Sequence, residues 1–478
     1  MSLKQTIFLF IIIIVEGYIV LSSELLAIRQ TIPYVGSGTD TVSIIIAAVL
    51  MPLAFGYQYG GRFKPRKIMG QFITVRKKLI INLVISATIL FVGLSYIFLE
   101  MFFKWLPSVG IYDRIGQTFV YCALFIVLPV YLLGQTVPLI SNFFSKEHLP
   151  RVTGRILFFS TVGSFLGAVF STLILMATLG VHHTVSLNFV LIAVLVIMLS
   201  KKPLSFPVIF TVLLAFAGMG LNSDLIMEKH HIRKNNQYNT IQAGQATDGK
   251  RHIILNNNMS SSYDDKGRKH LYIEFAERVA LYPLLSSESQ KNILIIGAGG
   301  FTFGHNDRNP NNHYTYVDID KDLKDVAEQY VLEEPIGDNK EFIPKPARAY
   351  LHATDKMYDV IYLDAYLGGV SVPEHLVTQE FFTQVKGHLK DKGILVTNFI
   401  ASPNFNGPFS RNLDNTLRSV FPHVSRHVIA ERYQLWAEAG KVANIAYIYR
   451  HEDNYEDGGI YTDNKNTVFY DKPKRLKP

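Results

Sequence analysis

Hydrophobic positions follow two regimes along the chain, and the change falls near residue 222. Before it, seven apolar stretches reach or approach the ~20 residues a helix needs to cross hydrocarbon. They lie near 6–28, 40–58, 79–99, 117–144, 156–178, 184–200 and 205–221, the last two being the shortest. Lipid offers no partner to an unpaired backbone group, so the pattern predicts a bundle of transmembrane helices. Beyond 222, short β-type runs appear, Tyr238 to Ala243 and His252 to Leu255, separated by Gly- and Asp-containing turns. A helix from about His270 to Leu285 follows, with Leu271, Phe275, Val279 and Tyr282 recurring every three or four positions.

From Asn292 the pattern alternates strand and helix, as in a doubly wound α/β domain. Strands are predicted at Asn292–Ile296, Tyr314–Val317, Tyr358–Leu363 and Gly393–Thr397, with helices near 321–332, 378–390 and 410–420 between or after them. A late pair, near 424–431 and 443–449, closes the sheet. The expected organisation is therefore multi-domain. A helical membrane bundle (1–222) precedes a small β segment plus helix (233–285), an α/β domain (286–450) and a polar, poorly ordered tail (451–478).

Composition agrees with this division. Hydrophobic residues make up 49% and charged residues 18% of the 478, with mean hydropathy +0.18, between a soluble enzyme and a protein wholly in lipid. The net charge of +8 sits largely in short loops between apolar stretches, where Lys and Arg set topology, so nucleic acid is not an expected partner. The single cysteine, Cys122, excludes a disulfide framework and a cysteine-ligated zinc site, and no metal is expected. The first apolar run is too long for a cleavable signal and reads as a retained span. It carries Glu16 and Glu24 and ends at Arg29. A Glu24–Arg29 contact fixing helix packing is one reading, a substrate or proton path through Glu16 another. Gly154, Gly163 and Gly167, with Ser160, Ser164 and Ala168, suit close helix packing in the fifth span.

Sidedness is in conflict. The loop with Arg62, Lys64, Arg66, Lys67, Arg76, Lys77 and Lys78 should be cytoplasmic, as should the loops with Lys146, Arg151, Arg155 and with Lys201, Lys202. Seven spans then leave the C-terminal domain outside. A cytosolic domain, which is the expectation, requires one segment (205–221 is the candidate) to re-enter or lie along the interface.

The chemistry concentrates in Gly297-Ala298-Gly299-Gly300, directly after the first strand of the α/β domain. Glycines there allow a tight turn and let the backbone approach a nucleotide, while an acid about 20 positions on accepts hydrogen bonds from ribose. Asp318 stands there, with Asp320 two residues later. A turn serving only helix packing is the alternative. The continuation Phe301-Thr302-Phe303-Gly304 departs from the dinucleotide pattern and offers no positive cluster for a pyrophosphate, which favours an adenosyl-sulfonium ligand. Asp364 ends the next strand, where it can hold an amine and take its proton, or merely cap the turn at Gly368-Gly369.

Together these residues resemble the spermidine synthase family, in a membrane-fused form, from about Asn236 to Arg450. Glu24-Leu-Leu-Ala-Ile-Arg29 and the Gly56…Gly60-Gly61-Arg62 run look like the fused proteins' N-terminal pattern. Gln237-Tyr238-Asn239-Thr240-Ile241 is similar to the family's β-segment and Tyr272-Ile273-Glu274 to its Tyr-His-Glu helix. Val317-Asp-Ile-Asp320 is similar to its nucleotide motif, and Asp364-Ala-Tyr366 with Pro373-Glu-His-Leu-Val-Thr-Gln-Glu-Phe-Phe382 is the most specific match. The resemblance implies a Rossmann-like, S-adenosylmethionine methyltransferase-type fold. It also implies aminopropyl transfer from decarboxylated S-adenosylmethionine, or use of S-adenosylmethionine itself, without a metal. The acceptor would be a small or lipid-linked amine, in a multi-pass protein in contact with membrane lipid; a homo-oligomer stays open.

By the same resemblance, Asp364 deprotonates the acceptor and Tyr272 orients it, while Glu274 and Tyr366 bind substrate. Gly297, Gly299, Gly300, Asp318, Asp320, Tyr238 and Asn239 hold the donor. Several family acids are replaced: Gly300 and Phe301 stand where an Asp grips the donor amine, Pro346 precedes Ala347-Arg348, and Leu367 follows the catalytic region. A methyltransferase on the same fold, or a nucleotide-gated transporter or sensor, are the alternative functions.

Overall fold

The computed structural model describes residues 3–68, 71–143, 149–282, 290–366, 372–429 and 442–450. The predicted tail, the Gly368-Gly369 turn and Lys146 lie outside them.

Six helices are long and apolar enough to cross a membrane: Leu3–Val35, Thr39–Gly61, Val75–Leu94, Thr153–Thr178, Val181–Leu199 and Phe206–Lys229. A bent pair, Arg114–Phe125 with Val127–Ser141 at 42°, supplies a seventh. The first helix is the hub. An added Cβ at Gly163 would lie 2.2 Å from the Ile14 carbonyl oxygen, and one at Gly167 2.4 Å from that of Tyr18. Only glycine admits so close an approach, as the small-residue spacing predicts. Gly154, by contrast, meets nothing within 4 Å. The break falls in the fourth span, not in 205–221. Phe206–Leu221 runs the length of the bundle beside Val181–Leu199, from the Lys201–Ser205 turn to Asn222, whose side chain bonds Ser95 at the other end.

The soluble part sits at that same end. Arg29 donates to the Asn236 carbonyl oxygen at 2.7 Å, Asn257 to that of Pro33 at 3.2 Å, and Thr39 to Glu374 at 3.3 Å. The Lys/Arg-rich loops gather at the opposite end, where Arg76 donates to the carbonyl oxygens of Met198 and Leu199. Phe206–Leu221 is thus one continuous helix packed beside Val181–Leu199. The expected Glu24–Arg29 contact is also not formed. Arg29 turns out of the bundle into the soluble domain, while Glu16 and Glu24 stay buried in the helix bundle.

A short hairpin, β1 (Arg66–Ile68) and β2 (Gln71–Ile73), lies between the second and third spans. After the helix Asp224–Lys229, β3 (Ile232–Asn235), β4 (Thr240–Gln245), β5 (Arg251–Leu255) and β6 (Asn258–Tyr263) form an antiparallel sheet in sequential order. The helix Leu271–Ala280 leads into a seven-stranded sheet. Its strands are β7 (Lys291–Ile296), β8 (Asn312–Asp318), β9 (Lys340–Pro344), β10 (Tyr358–Leu363), β11 (Leu389–Ala401), β12 (Ser425–Ile429) and β13 (Ala443–Arg450). They are ordered β12-β13-β11-β10-β7-β8-β9. Its central strands are parallel and buried on both faces, so they read as unbroken apolar runs. Ile293, Ile295, Val360 and Tyr362 face one core with Phe301 and Tyr316; Leu294, Ile296, Ile361 and Leu363 face the other with Phe381 and Phe399. β9 and the helix Ala347–Ala353, unremarked in the sequence pattern, complete the edge beside β8.

Candidate active site

The strand order reverses between β7 and β10, and the crevice at their carboxyl ends is where open α/β sheets bind ligands. Gly297, at φ +91°, closes β7 with its N–H on the Val317 carbonyl oxygen at 2.9 Å. A Cβ there would lie 2.1 Å from the Asp364 carbonyl oxygen. The glycine thus brings the ends of β7 and β10 together and sets Asp364 beside the turn.

Asp318 closes β8. Its carboxylate accepts the N–H of Ala298 and that of Asp320, each at 3.0 Å, which fixes it against the glycine turn. Burial pushes its pKa up to about 6, with these backbone donors pulling the other way. Its side chain stays partly exposed in the crevice. Asp320 differs. It is fully buried, and its oxygens accept the Asn236 and Asn239 amides, both at 2.8 Å, and the Asp322 N–H at 3.1 Å. Asp320 and Asn239, both expected at the donor, are bonded to each other here and latch β8 to the small sheet. Asn236 also donates to Asp322 and receives Arg29 on its carbonyl oxygen, so the latch runs on into the first membrane helix. Tyr238 enters this latch through its backbone N–H, on Asn236 Oδ1 at 2.8 Å, and no side-chain hydrogen bond links it to either acid among the described residues.

Gly299 and Gly300 lie under β6. The Gly300 N–H donates to Ser261 Oγ at 3.0 Å, and a Cβ on Gly299 would meet the hydroxyls of Ser260 and Ser261 at 2.8 and 3.0 Å. Here these two glycines admit the strand that roofs the turn. Phe301 and Phe303 point into the core below: Phe301 packs on Tyr316 and Phe342, and Phe303 stacks on Tyr362 with centroids 4.4 Å apart.

Asp364 accepts the Tyr362 hydroxyl at 2.9 Å and the Asn398 amide at 3.0 Å. Burial pushes its pKa up to about 6, against the pull of these two donors. Tyr366 is held by the Ile400 N–H at 2.6 Å and by donating to the Asn398 carbonyl oxygen at 3.1 Å. Tyr272 donates to the Ser260 carbonyl oxygen. Its pKa is raised first by burial and then by the charges of Asp364 and Tyr366, which places it in their company. Three tyrosines and an asparagine thus surround one carboxylate. Aromatic faces around a buried anion suit a cation such as an ammonium or sulfonium.

Glu274 is not part of this group. It is exposed, accepts the Lys269 N–H at 2.8 Å at the start of its helix, and lines a separate ~650 Å³ cavity with Arg268, Arg278 and Arg426. The structure thus places Glu274, expected to bind substrate, away from Asp364. The inward-facing acid of that helix is Glu277, paired with Lys269 and accepting the Gly304 N–H at 2.6 Å, so that it anchors the loop after the glycine turn. Sequence reasoning missed Asn398, Tyr362, Ser261 and Glu277. Tyr362 alone carried a signal, two residues before Asp364 in a strand and so on the same face.

Residues 273–433 match the family model described as the spermine/spermidine synthase domain. A probable polyamine aminopropyl transferase of Bifidobacterium longum is 30% identical over 194 residues, 38% of this chain and 40% of that protein. A polyamine aminopropyltransferase of Vibrio vulnificus is 33% identical over 164 residues, 33% of this chain and 52% of that protein. A probable spermidine synthase from Corynebacterium glutamicum superposes with a TM-score of 0.38 at 19% identity, covering 48% of this chain and 80% of that one. The chain spans about half or less of the length of those two curated relatives, and the family match leaves the helix bundle uncovered. Residues 273–433 of this chain are thus similar to the spermine/spermidine synthase domain family.

Proposed function

We propose that the protein is a membrane-bound transferase that moves an aminopropyl group from decarboxylated S-adenosylmethionine to an amine, either a small molecule or a lipid-linked one. The observation that carries this is Asp364 at the carboxyl end of β10, ringed by Tyr272, Tyr362 and Tyr366 and set across the Gly297 turn from Asp318. Asp318 receives the ribose hydroxyls. The aromatic ring stabilises the cationic reactants. The acceptor nitrogen attacks the carbon next to the sulfonium, the C–S bond breaks towards sulfur, and neutral methylthioadenosine leaves. The proton lost by the nitrogen goes to the Asp364 carboxylate, which with a pKa of about 6 is ionised at neutral pH.

The test is to incubate the purified full-length protein with decarboxylated S-adenosylmethionine and a panel of amines and to quantify methylthioadenosine. Activity that Asp364→Asn removes supports the reading; no turnover with any pair, or an unaffected variant, overturns it. A second reading has one observation in its favour. Where the family has an acid for the donor amine, Gly300 is covered by Ser261 and Phe301 is buried, so methyl transfer from S-adenosylmethionine fits with fewer carboxylates. S-adenosylhomocysteine as the product would select it.

Sidedness belongs to the same proposal. Seven crossings and basic loops at the far end of the bundle favour a soluble domain on the non-cytoplasmic face, against the cytosolic expectation.

A further inference from the structure

At the domain-facing end of the bundle, outside the transferase site, three metal-ligating side chains converge. His182 and His183 open the helix Val181–Leu199, and Asp224 opens the short helix that leads from the last span into β3. His182 Nε2 lies 2.9 Å and His183 Nε2 3.2 Å from the same oxygen, Asp224 Oδ1. All three ligand atoms fall within 4.8 Å of one another, and the two rings pack with centroids 4.2 Å apart. Successive side chains on a helix normally point about 100° apart, yet both imidazoles here turn to one carboxylate.

We propose that His182, His183 and Asp224 bind a divalent transition ion, zinc in the first instance. Imidazole nitrogen and carboxylate oxygen are the ligands such an ion takes, at about 2.0–2.1 Å each, which sets tetrahedral ligand atoms about 3.3 Å apart. The two nitrogen–oxygen separations are already close to that edge. The remaining adjustment, a few tenths of an ångström, falls to Asp224, whose side chain is 80% exposed and free to withdraw. His182, with only 11% of its side chain exposed, is the fixed member, and His183 at 41% leaves the solvent side open for a water ligand. The ion ties the exit of the last span to the start of the preceding one. Gly180, just before the histidines, lies against the Asn235 carbonyl oxygen, so the site adjoins the segment that receives Arg29. Two imidazole N–H groups donating to Asp224 without any ion would give the same distances, and binding separates the two cases.

The experiment uses tag-free full-length protein in detergent micelles, stripped with a chelator and titrated calorimetrically with zinc chloride. Cobalt(II) absorption serves as a second readout of tetrahedral nitrogen and oxygen ligation. The expected result is one ion per chain. Asp224→Asn keeps an oxygen acceptor for both imidazoles but loses the anionic ligand, so it should weaken binding more than about tenfold while its metal-free melting curve matches the parent. His183→Gln should abolish the cobalt spectrum. Absence of binding at micromolar zinc, or parental affinity in both variants, overturns the proposal.

Discussion

Replacing Arg29 by Met tests whether the membrane half shapes the nucleotide site. Arg29 is 4% exposed, and its guanidinium donates to the Asn236 carbonyl oxygen at 2.7 Å, Thr240 Oγ1 at 3.2 Å and Asn235 Oδ1 at 3.3 Å. Each bond from a charged donor contributes about 1.5–3 kcal/mol, and acceptors left buried and unpaired cost more. Leaving these three neutral acceptors unpaired costs about 1–3 kcal/mol each, so about 4 kcal/mol together. The loss is not local. Asn236 holds Asp320, and the Asp320 N–H holds Asp318 Oδ1, so three links join the first helix to the acid proposed to hold ribose. If a third of the loss reaches Asp318, nucleotide affinity falls about tenfold. Arg29→Lys keeps the charge but not the planar fork, and should fall between parent and Met variant. The assay is calorimetric binding of an adenosyl-sulfonium nucleotide to each full-length protein, with amide exchange read over residues 235–240 and 319–322. Parental affinity within about twofold, together with unchanged protection in both segments, refutes the coupling.

Three further outcomes are expected. Asp364→Asn should cut turnover by about 10²–10⁴-fold, and the parent's kcat/KM should rise with pH through about 6 as this carboxyl ionises. Folding raises that pKa above 3.8, so the stability Asp364 contributes is present below about pH 4 and lost as pH rises through about 6. The Asn variant should therefore melt above the parent at pH 8 but not at pH 4, and the reverse order would refute the burial argument. Gly297→Ala should destabilise the soluble domain by about 3 kcal/mol in denaturant titration, because its Cβ would meet the Asp364 carbonyl oxygen at a positive φ. A reporter fused after Arg450 should be active as alkaline phosphatase and dark as green fluorescent protein, with the opposite pattern for insertions near Lys64; reversed signals would place the soluble domain in the cytosol.

The sequence exposes whatever rests on periodicity and loses whatever rests on long-range pairing. All seven apolar stretches correspond to helices because the ~20-residue length of a span is a local property. The glycine turn and Asp318 were legible because strand, turn and acid follow one another in the chain. Asp320 shows the limit: it occupies a ligand-like position two residues on, yet is consumed by Asn236 and Asn239 from more than 80 residues away. Glu274 and Glu277 sit on one short helix, and only the packing of that helix decides which faces inward. Asn398 follows Thr397 in the C-terminal part of β11, and no local pattern marks it as the partner of Asp364. The kink at Ile126 was equally silent, since apolar composition continues through it.

The helix bundle carries more polar structure than tethering requires. A tether needs one span and a linker, and polar groups inside it only cost free energy. The hub helix instead buries Glu16, Ser22, Ser23 and Glu24 as it runs through the bundle. Ser22 and Tyr18 both bond Ser171 Oγ, at 2.8 and 2.9 Å, where the partner helix widens into a π-turn over Ser171–Leu175. Such turns insert an extra residue at a cost in hydrogen-bond geometry and concentrate at functional positions. The same hub helix carries Arg29 near its C-terminal end, three hydrogen bonds from Asp318. The hydrogen-bonded path Arg29–Asn236–Asp320–Asp318 connects that helix to the turn after β7, a connection that a simple anchor has no use for.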